Sequence, residues 1–274
     1  MVITLAFVLL AAETLSYSGP EVRKGASADA FRVSDWTAGQ TLYAVSPDIN
    51  LRAKPSVASP VLAKLSMGAP VVVAGEPGAL EIAAGRSDHW YPVTAAGRKG
   101  FLHGSTLTPF RWVSAKRSAT VAWGPNYKIL IRLQTDGEVE TLSLEPGGQA
   151  YVCCGGLIET KWIPASVSGS PMVEVYSTVE ACGDEVTYYV DLGGEAPKLV
   201  LETSGIHDPP VYSRAKVTFS GSPRAAKVAQ LSWNLGEESG AEECKSERVT
   251  DHSWDGTRYV PGASTNREIT PCPE

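Results

Sequence analysis

The residues of this sequence that could support nucleophilic catalysis are its cysteines and histidines: Cys153, Cys154, Cys182, Cys244, Cys272, His89, His103, His207 and His252. A cysteine peptidase needs a thiolate beside a histidine that a third group orients. Beyond residue 110 the candidates are Cys153 or Cys154 with His207 or His252. The two thiols follow the strand-like Ala150–Val152 rather than a helix start, and the sequence has no Gly-x-Ser-x-Gly, His-Glu-x-x-His or phosphate-binding loop. We therefore expect no catalytic residues.

The spacing of the cysteines favours disulfides over a metal site. The sequence has no Cys-x-x-Cys pair, and adjacent side chains of a strand point to opposite faces, so Cys153 and Cys154 suit one tetrahedral metal poorly. We expect two disulfides and one remaining thiol, formed in an oxidising compartment. Joining Cys154 to Cys182 and Cys244 to Cys272 gives short loops, but the sequence leaves the connectivity open.

Two stretches of the C-terminal half resemble parts of calcium-binding propeller repeats: Asp191–Leu201 looks like their turn and strand, and Trp254–Tyr259 looks like their closing strand. Gly193 stands where those repeats carry a carboxylate, so only Asp191 and Glu195 remain. Calcium needs six or more oxygen ligands. We expect a glycine-rich hairpin here, no metal, and no cofactor in the chain.

The residues between Gly39 and Pro109 form short apolar runs separated by glycine and proline. The runs are Thr41–Val45, Asn50–Ser56, Val61–Leu65, Val71–Val73, Asp88–Val93 and Gly97–His103. Short strands with turn residues between them, within about seventy residues, predict a small closed barrel. The stretch from Gly75 to Ser87 is interpreted as a hairpin connection without obvious chemistry.

The order of these motifs resembles the bacterial Src-homology-three domain (SH3b). Ile49–Arg52 matches the family's Leu-Asn-Val-Arg strand, and Trp90–Val93 matches its Trp-Tyr-x-Val strand. Phe101 stands in the closing strand where tryptophan is commoner, and His103–Ser105 leads to Leu107 as the family's tail does. The resemblance covers about a quarter of the chain and implies an SH3-like barrel that recognises a peptide or glycan, such as a cell-wall muropeptide.

Aromatic side chains beside a groove are the expected recognition surface of such a barrel, because rings supply contact area at low entropic cost. The candidate ligand-binding residues are Tyr43, His89, Trp90, Tyr91 and Phe101. Strand alternation places Trp90 and Tyr91 on opposite sides. We therefore expect one of these two rings to line a groove and the other to fill the core.

The rest of the chain also reads as strands with Gly, Pro and Asp turns between them. The predicted strands are Tyr127–Leu133, Glu138–Leu144, Met172–Val179, Glu185–Leu192, Lys198–Glu202, Ala215–Ser220, Gln230–Trp233, Lys245–Asp251 and Trp254–Pro261. Asp136-Gly137 is a hairpin signal, and Ala225–Leu231 fits either a short helix or a strand. The pattern predicts an all-β chain whose second domain is an antiparallel sandwich or a propeller-like sheet.

The charge is distributed unevenly. Residues 39–110 contain six Lys and Arg against four Asp and Glu, a net charge of +2, whereas residues 111–274 contain fifteen against twenty-two, a net charge of −7. An acidic chain without a basic stripe argues against nucleic acid as the partner.

The first residues, Met1–Ala12, have the length and apolarity of a signal-peptide core, although no Lys or Arg precedes them. A buried N-terminal strand or a misplaced start codon is the competing interpretation. The run is too short to be a dependable membrane span, so we expect no membrane span after signal removal. The disulfide interpretation agrees with export to the periplasm or the exterior.

These observations predict a signal peptide over residues 1–15, a linker over 16–38, an SH3b barrel over 39–110 and a disulfide-containing β-rich domain over 111–274. The expected function is non-catalytic binding of a peptidoglycan peptide or an envelope protein. The alternative is a cell-wall hydrolase, a Cys-dependent peptidase or amidase, that uses the barrel for targeting.

Overall fold

The protein is almost entirely antiparallel β-sheet in the computed structural model, which describes residues 34–83, 86–114, 116–124, 128–145, 156–179, 184–208, 211–235 and 242–270. The first sheet contains strands β1 to β8, with bounds Thr41–Ala44, Ile49–Arg52, Val61–Leu65, Pro70–Val73, Leu80–Ala83, Arg86–Ala95, Arg98–His103 and Leu107–Thr108. A single turn of 3-10 helix, Gly104–Thr106, joins β7 to β8.

The first sheet curls around one apolar core. Its strand order is β3-β2-β7-β6-β4-β1-β8, and β5 pairs with β6 outside this path. Every strand except β5 contributes to the core, which contains Leu42, Ala44, Leu51, Leu65, Val71, Val73, Tyr91, Val93, Ala95, Leu102 and Leu107. The described ladder does not pair β3 with β8, so this barrel stays open at one seam instead of closing fully as the sequence predicts.

A four-stranded sheet follows, in the order β12-β11-β10-β9. Its strands are β9 to β12, with bounds Phe110–Ser114, Arg117–Trp123, Ile129–Thr135 and Glu138–Leu144. Thr135 pairs with Glu138, and Asp136 and Gly137 between them have φ of 51° and 95°. Both central residues of a two-residue type I′ turn need positive φ, so the hairpin predicted from Asp136-Gly137 is confirmed.

The third sheet is an eight-stranded meander in which every strand pairs with its neighbours in sequence. Its strands β13 to β20 span Gly156–Ile163, Met172–Val179, Asp184–Asp191, Lys198–Asp208, Val211–Gly221, Arg224–Leu235, Glu242–Trp254 and Tyr259–Thr270, and the short helix α1, Ala165–Ser168, lies between β13 and β14. β16 pairs with β17 only over Ile206–Asp208 and Val211–Ser213. The ladder formed by β17–β20 therefore diverges from β13–β16 at this point.

Strands β14 and β15 are covered on both faces, because alternate residues enter different cores. Val173 and Tyr188 belong to a core shared with Ile129 and Ile131 of the four-stranded sheet. Met172 and Tyr189 belong to a second core shared with β18. The four-stranded sheet and the start of the meander thus form a sandwich, one of the two architectures that the sequence leaves open.

Polar contacts join the barrel to the four-stranded sheet. The carbonyl oxygen of Val45 accepts hydrogen bonds from Thr120 Oγ1 (3.1 Å) and from Arg132 (3.2 Å). Thr108 Oγ1 donates to the carbonyl oxygen of Val121 at 2.5 Å. Only Pro109 separates β8 from β9, so the chain passes from one sheet to the next without a linker.

The sequence patterns locate many strands but miss several. Val61–Leu65, Glu138–Leu144 and Met172–Val179 have the predicted bounds. The sequence patterns do not predict β5, β9, β10 or β13, and Ala225–Leu231 lies inside strand β18. None of the described helices is long and apolar enough to cross a membrane.

The end of the predicted linker belongs to the barrel. Ser34 is buried, and Trp36 packs against the barrel core. Residues 1–33, which include the predicted signal peptide, lie outside the described residues.

Candidate functional site

The two neighbouring aromatic residues of β6 are both buried. Tyr91 is a fully buried member of the barrel core, and its hydroxyl donates a hydrogen bond to the carbonyl oxygen of Ser34 at 2.9 Å. Trp90 lies on the other side of β6, where its indole N–H donates to Glu81 and its ring meets the His103 ring edge-on at 5.4 Å between centroids. Trp90 is 4% exposed. The expectation that one of these rings lines an open groove is therefore wrong.

A buried polar cluster explains why the outer side of β6 is covered. The Asp88 carboxylate accepts hydrogen bonds from Ser34 Oγ at 2.7 Å and from the His89 backbone N–H at 2.8 Å, and it forms an ion pair with Arg86 at 3.4 Å. Arg86 also donates to the carbonyl oxygen of Trp123 in β10. Burial raises the pKa of Asp88, although these partners oppose the shift. The cluster ties the segment before β1, the barrel and the second sheet together, and its side chains Ser34, Arg86 and Asp88 are buried.

The other three predicted ligand-binding residues lie on separate strands. Tyr43 is half-buried on β1, with the Arg111 guanidinium 5.1 Å from its ring centroid. Phe101 is half-buried on β7, opposite Arg52 and Pro92. In the sheet order, β6 and β4 lie between β7 and β1. The structure therefore does not bring the predicted residues into one groove, and their role in ligand binding stays a prediction.

His89 lies beside the most exposed apolar surface that the barrel presents. Leu80 is 55% exposed and pairs with His89, and Ile82 is 73% exposed and pairs with Ser87. Leu80 and Ile82 are two residues apart in β5, so their side chains share one face. We call these four residues, Leu80, Ile82, Ser87 and His89, the β5 surface.

The His89 ring is oriented by the backbone of the preceding turn. Its Nδ1 lies 2.7 Å from the carbonyl oxygen of Gly78. Because a carbonyl only accepts, Nδ1 is the donor in this contact, and in the neutral form of the ring Nε2 is the acceptor. The β5 surface can therefore take an apolar side chain on Leu80 and Ile82 and a hydrogen-bond donor at His89.

The sequence reasoning missed Leu80 and Ile82, because it interpreted residues 75–87 as a connection. A signal was present: Leu80-Glu81-Ile82-Ala83 alternates apolar and polar side chains at the start, as a short strand does. Two alternations are too few to separate a strand from a loop on sequence alone.

The residues considered for nucleophilic chemistry are only partly described. His103 is buried, with Nδ1 2.6 Å from Ser105 Oγ and Nε2 3.1 Å from the carbonyl oxygen of Glu81. Cys153, Cys154, Cys182 and Cys272 lie outside the described residues, and Cys244 is described only as a backbone position of β19. The disulfide pairing and the absence of catalysis stay predictions.

The turn compared with calcium-binding repeats uses its carboxylate for protein contacts. Asp191 Oδ1 accepts hydrogen bonds from Ser170 Oγ at 2.6 Å and from the Gly193 N–H at 2.7 Å, and Oδ2 forms a 2.7 Å ion pair with Arg224. A Cβ on Gly193 would collide with Ser170 Oγ. The described residues contain no group of three or more metal-ligating side chains, so Asp191 is assigned here to a structural ion pair.

The second stretch compared with those repeats meets the first through Arg224. The Arg224 guanidinium lies 3.4 Å from the Trp254 ring centroid, and Arg224 Nε donates to the Tyr259 hydroxyl at 3.3 Å. Asp255 follows Trp254 in the turn that leads to Tyr259. Its carboxylate accepts hydrogen bonds from the N–H groups of Arg258 and Thr257 and from the Thr257 hydroxyl. These hydrogen bonds lower the pKa of Asp255 to about 2. The two stretches that resemble parts of those repeats are thus joined by the Arg224 guanidinium.

Comparison with known proteins bears on the barrel alone. The geometry defines a small all-β barrel of the SH3-like class, with a buried Trp-Tyr strand at its centre. The family model of the bacterial SH3 domain matches residues 47–108, which confirms the resemblance of this segment. No curated protein and no solved structure matches the chain.

We expect Arg224→Ala to destabilise the protein by about 2–4 kcal/mol, because it leaves the half-buried Asp191 carboxylate without its cation and removes the contact with Trp254. The matched control is Lys227→Ala, which removes an exposed ion pair with Asp251 at 3.6 Å. The control is expected to change the free energy of unfolding by less than about 1 kcal/mol. Urea unfolding of the three proteins measures both values, and equal effects would contradict the role given to Arg224.

The pH dependence of stability follows from the same ion pair. Burial by itself raises the pKa of Asp191, but the hydrogen bonds from Ser170, Arg224 and Gly193 outweigh it and hold the pKa below its ordinary value. A carboxyl group with a lowered folded-state pKa stabilises the fold above its unfolded pKa of about 4 and loses that contribution as pH falls through the folded pKa. Wild type should therefore lose more stability than Asp191→Asn between about pH 5 and pH 2. Parallel slopes of unfolding free energy against pH would refute this assignment.

Proposed function

We propose that this chain is an exported, non-catalytic binding protein whose bacterial SH3 barrel recognises a cell-wall peptide through the β5 surface. The observation that carries the proposal is that Leu80 and Ile82 of β5 are 55% and 73% exposed on the surface of the barrel domain. Neighbouring exposed apolar side chains in a folded domain are typical of interaction sites.

The chemistry of the β5 surface suits a short peptide. Leu80 and Ile82 supply apolar contact area, and His89 Nε2 accepts a hydrogen bond from an amide N–H. Ser87 adds a hydroxyl at the same surface. The combination matches an amide-rich chain that carries small apolar side chains, which is the chemistry of the peptide part of peptidoglycan.

The buried cluster supports the proposal by fixing the surface. Strand β5 is anchored from its other face: Glu81 accepts from the Trp90 indole, and the Glu81 carbonyl oxygen meets His103. Ala83 is buried at the end of the strand. A strand held in this way loses little conformational entropy when a ligand binds.

Replacing Leu80 and Ile82 together by serine should reduce retention of the protein on purified peptidoglycan at least fivefold, because the apolar contact area is lost. The measurement is the fraction of full-length protein that sediments with insoluble sacculi over a range of sacculus concentrations. A fivefold loss corresponds to about 1 kcal/mol of binding free energy.

The matched control is the double variant Val57→Ser, Val61→Ser, since these valines are 50% and 47% exposed on the same barrel. It should bind within a factor of about two of wild type. Thermal unfolding of both variants shows whether the barrel stays intact. Equal retention of all three proteins, or an equal loss in both variants, would remove the β5 surface from the proposal.

The non-catalytic part of the proposal has its own test. Zymography on peptidoglycan gels should show no clearing by the wild-type protein, and Cys153→Ala and Cys154→Ala should not change that result. Clearing that disappears on either substitution would replace the proposal by a Cys-dependent hydrolase. Retention on sacculi would still test the β5 surface in that case, because sedimentation measures binding and zymography measures cleavage.

A further inference from the structure

The outer face of strands β17 and β18 carries residues that core packing does not require. Alternate residues on the inner side, Val217, Phe219, Ala226 and Val228, belong to or pack against the core shared with β14–β16. The residues between them point the other way. On that outer side β17 presents Tyr212, Arg214 and Lys216, and β18 presents the directly opposite residues Trp233, Leu231 and Ala229. We call these six residues the β17–β18 face.

The face combines an aromatic pair with a parallel row of cations. The rings of Tyr212 and Trp233 stack at 13° with their centroids 5.7 Å apart. Arg214 and Lys216 follow Tyr212 at alternate positions and are exposed, which spaces their Cα atoms roughly 7 Å apart. Trp233, Leu231 and Ala229 form an apolar row beside them.

The cations of this face lack the pairing seen elsewhere in the same ladder. Lys227 lies opposite Asp251 and forms a 3.6 Å ion pair with it. Arg214 and Lys216 instead lie opposite Leu231 and Ala229, and among the described residues no carboxylate ion pair holds either cation. Opposite charges across neighbouring strands stabilise a sheet, and Arg214 and Lys216 have no such partner across β17–β18, so both cations can meet an external anion.

The charge of the face is opposite to that of the region around it. Residues 111–274 carry a net charge of −7, yet the six residues of the β17–β18 face include two cations and no acid. In the adjoining strand β19, Lys245 lies opposite Trp233 and Glu247 lies opposite Leu231. Arg214 and Lys216 can therefore attract an anionic ligand at the point of contact, while the acidic remainder of the region limits that attraction to short range.

We propose that the β17–β18 face binds an anionic polysaccharide, a chain of sugar rings that carries carboxylate or phosphate groups. The apolar faces of the sugar rings would pack on the Tyr212–Trp233 pair and Leu231, while the acidic groups meet Arg214 and Lys216. The residues of the face follow one another along two neighbouring strands, and an extended row of this kind suits a linear polymer better than a small ligand. The site is independent of the barrel, and its success or failure leaves the proposed function of the β5 surface untouched.

A single-stranded nucleic acid is the competing polyanion. Such binders usually offer an aromatic platform for successive bases along a positively charged groove. Here one stacked pair is followed by aliphatic Leu231 and Ala229, so no further ring continues the platform along the strand. The observations therefore favour sugar rings over bases.

The test measures binding of full-length protein to polygalacturonate by affinity gel electrophoresis at low salt, with neutral dextran, a glycerol-phosphate polymer and single-stranded RNA as parallel probes. Wild type should bind polygalacturonate and not dextran. The variant Arg214→Glu, Lys216→Glu should lose at least tenfold in affinity, and added salt should weaken wild-type binding, because it reduces the free energy gained when counterions are released from the polymer. Tighter binding of the glycerol-phosphate polymer than of polygalacturonate would assign the preference to phosphate, weaker binding would assign it to carboxylate, and equal binding would show that the face accepts either anion.

The matched control is Lys198→Glu, Arg248→Glu, which makes the same change in net charge at exposed positions outside the face. It should bind within about threefold of wild type. Trp233→Leu tests the aromatic pair: it should weaken polygalacturonate binding without changing the salt dependence. Equal losses in both charge variants, no binding of polygalacturonate by wild type, or tighter binding of RNA than of polygalacturonate would each overturn the proposal.

Discussion

The burial of the Asp88 carboxylate is the constraint on which the arrangement of the barrel depends. A buried carboxylate is costly unless hydrogen bonds and a cation compensate it. Ser34, Arg86 and the His89 N–H supply these partners from three directions, and Gly104 fits against the carboxylate only because it has no Cβ. These contacts of the Asp88 carboxylate fix the segment before β1, strand β6 and the turn before β8 relative to one another.

The same cluster decides which side chains remain available for binding. Arg86, Asp88 and Trp90 occupy the side of β6 that faces away from the barrel core, and all three are buried. Strand β5 covers them with Glu81 and Ala83, which leaves Leu80 and Ile82 turned outward. Leu80 and Ile82 are thus exposed because the alternate residues of β5 face the buried polar cluster.

The half-buried Arg224 guanidinium organises the C-terminal ladder. Arg224 connects Asp191 of β15 with Trp254 and Tyr259, which flank the β19–β20 turn. These contacts hold the inner face of β17–β20 against the core, where Phe219 and Tyr189 meet edge-on at 5.1 Å between ring centroids. The core is formed by the inner face alone, so packing does not determine the residues of the outer face. On that outer face Arg214 and Lys216 lie opposite apolar neighbours.

Local sequence patterns are enough to predict the all-β class and the hairpin at Asp136-Gly137, because period-two alternation and positive-φ turn residues are local properties. The position of the SH3 barrel follows from the resemblance of its motifs to the bacterial SH3 domain. Which face each strand buries depends instead on contacts between strands that are distant in sequence. Trp90 and Tyr91 alternate as the sequence predicts, yet both are buried, since Glu81 of β5, a strand outside the barrel path, and His103 of β7 contact Trp90 on the second side. For the same reason the partner of Asp191 could not be predicted: the sequence indicates a glycine-rich hairpin at this position, whereas Arg224, 33 residues away, forms the ion pair with it.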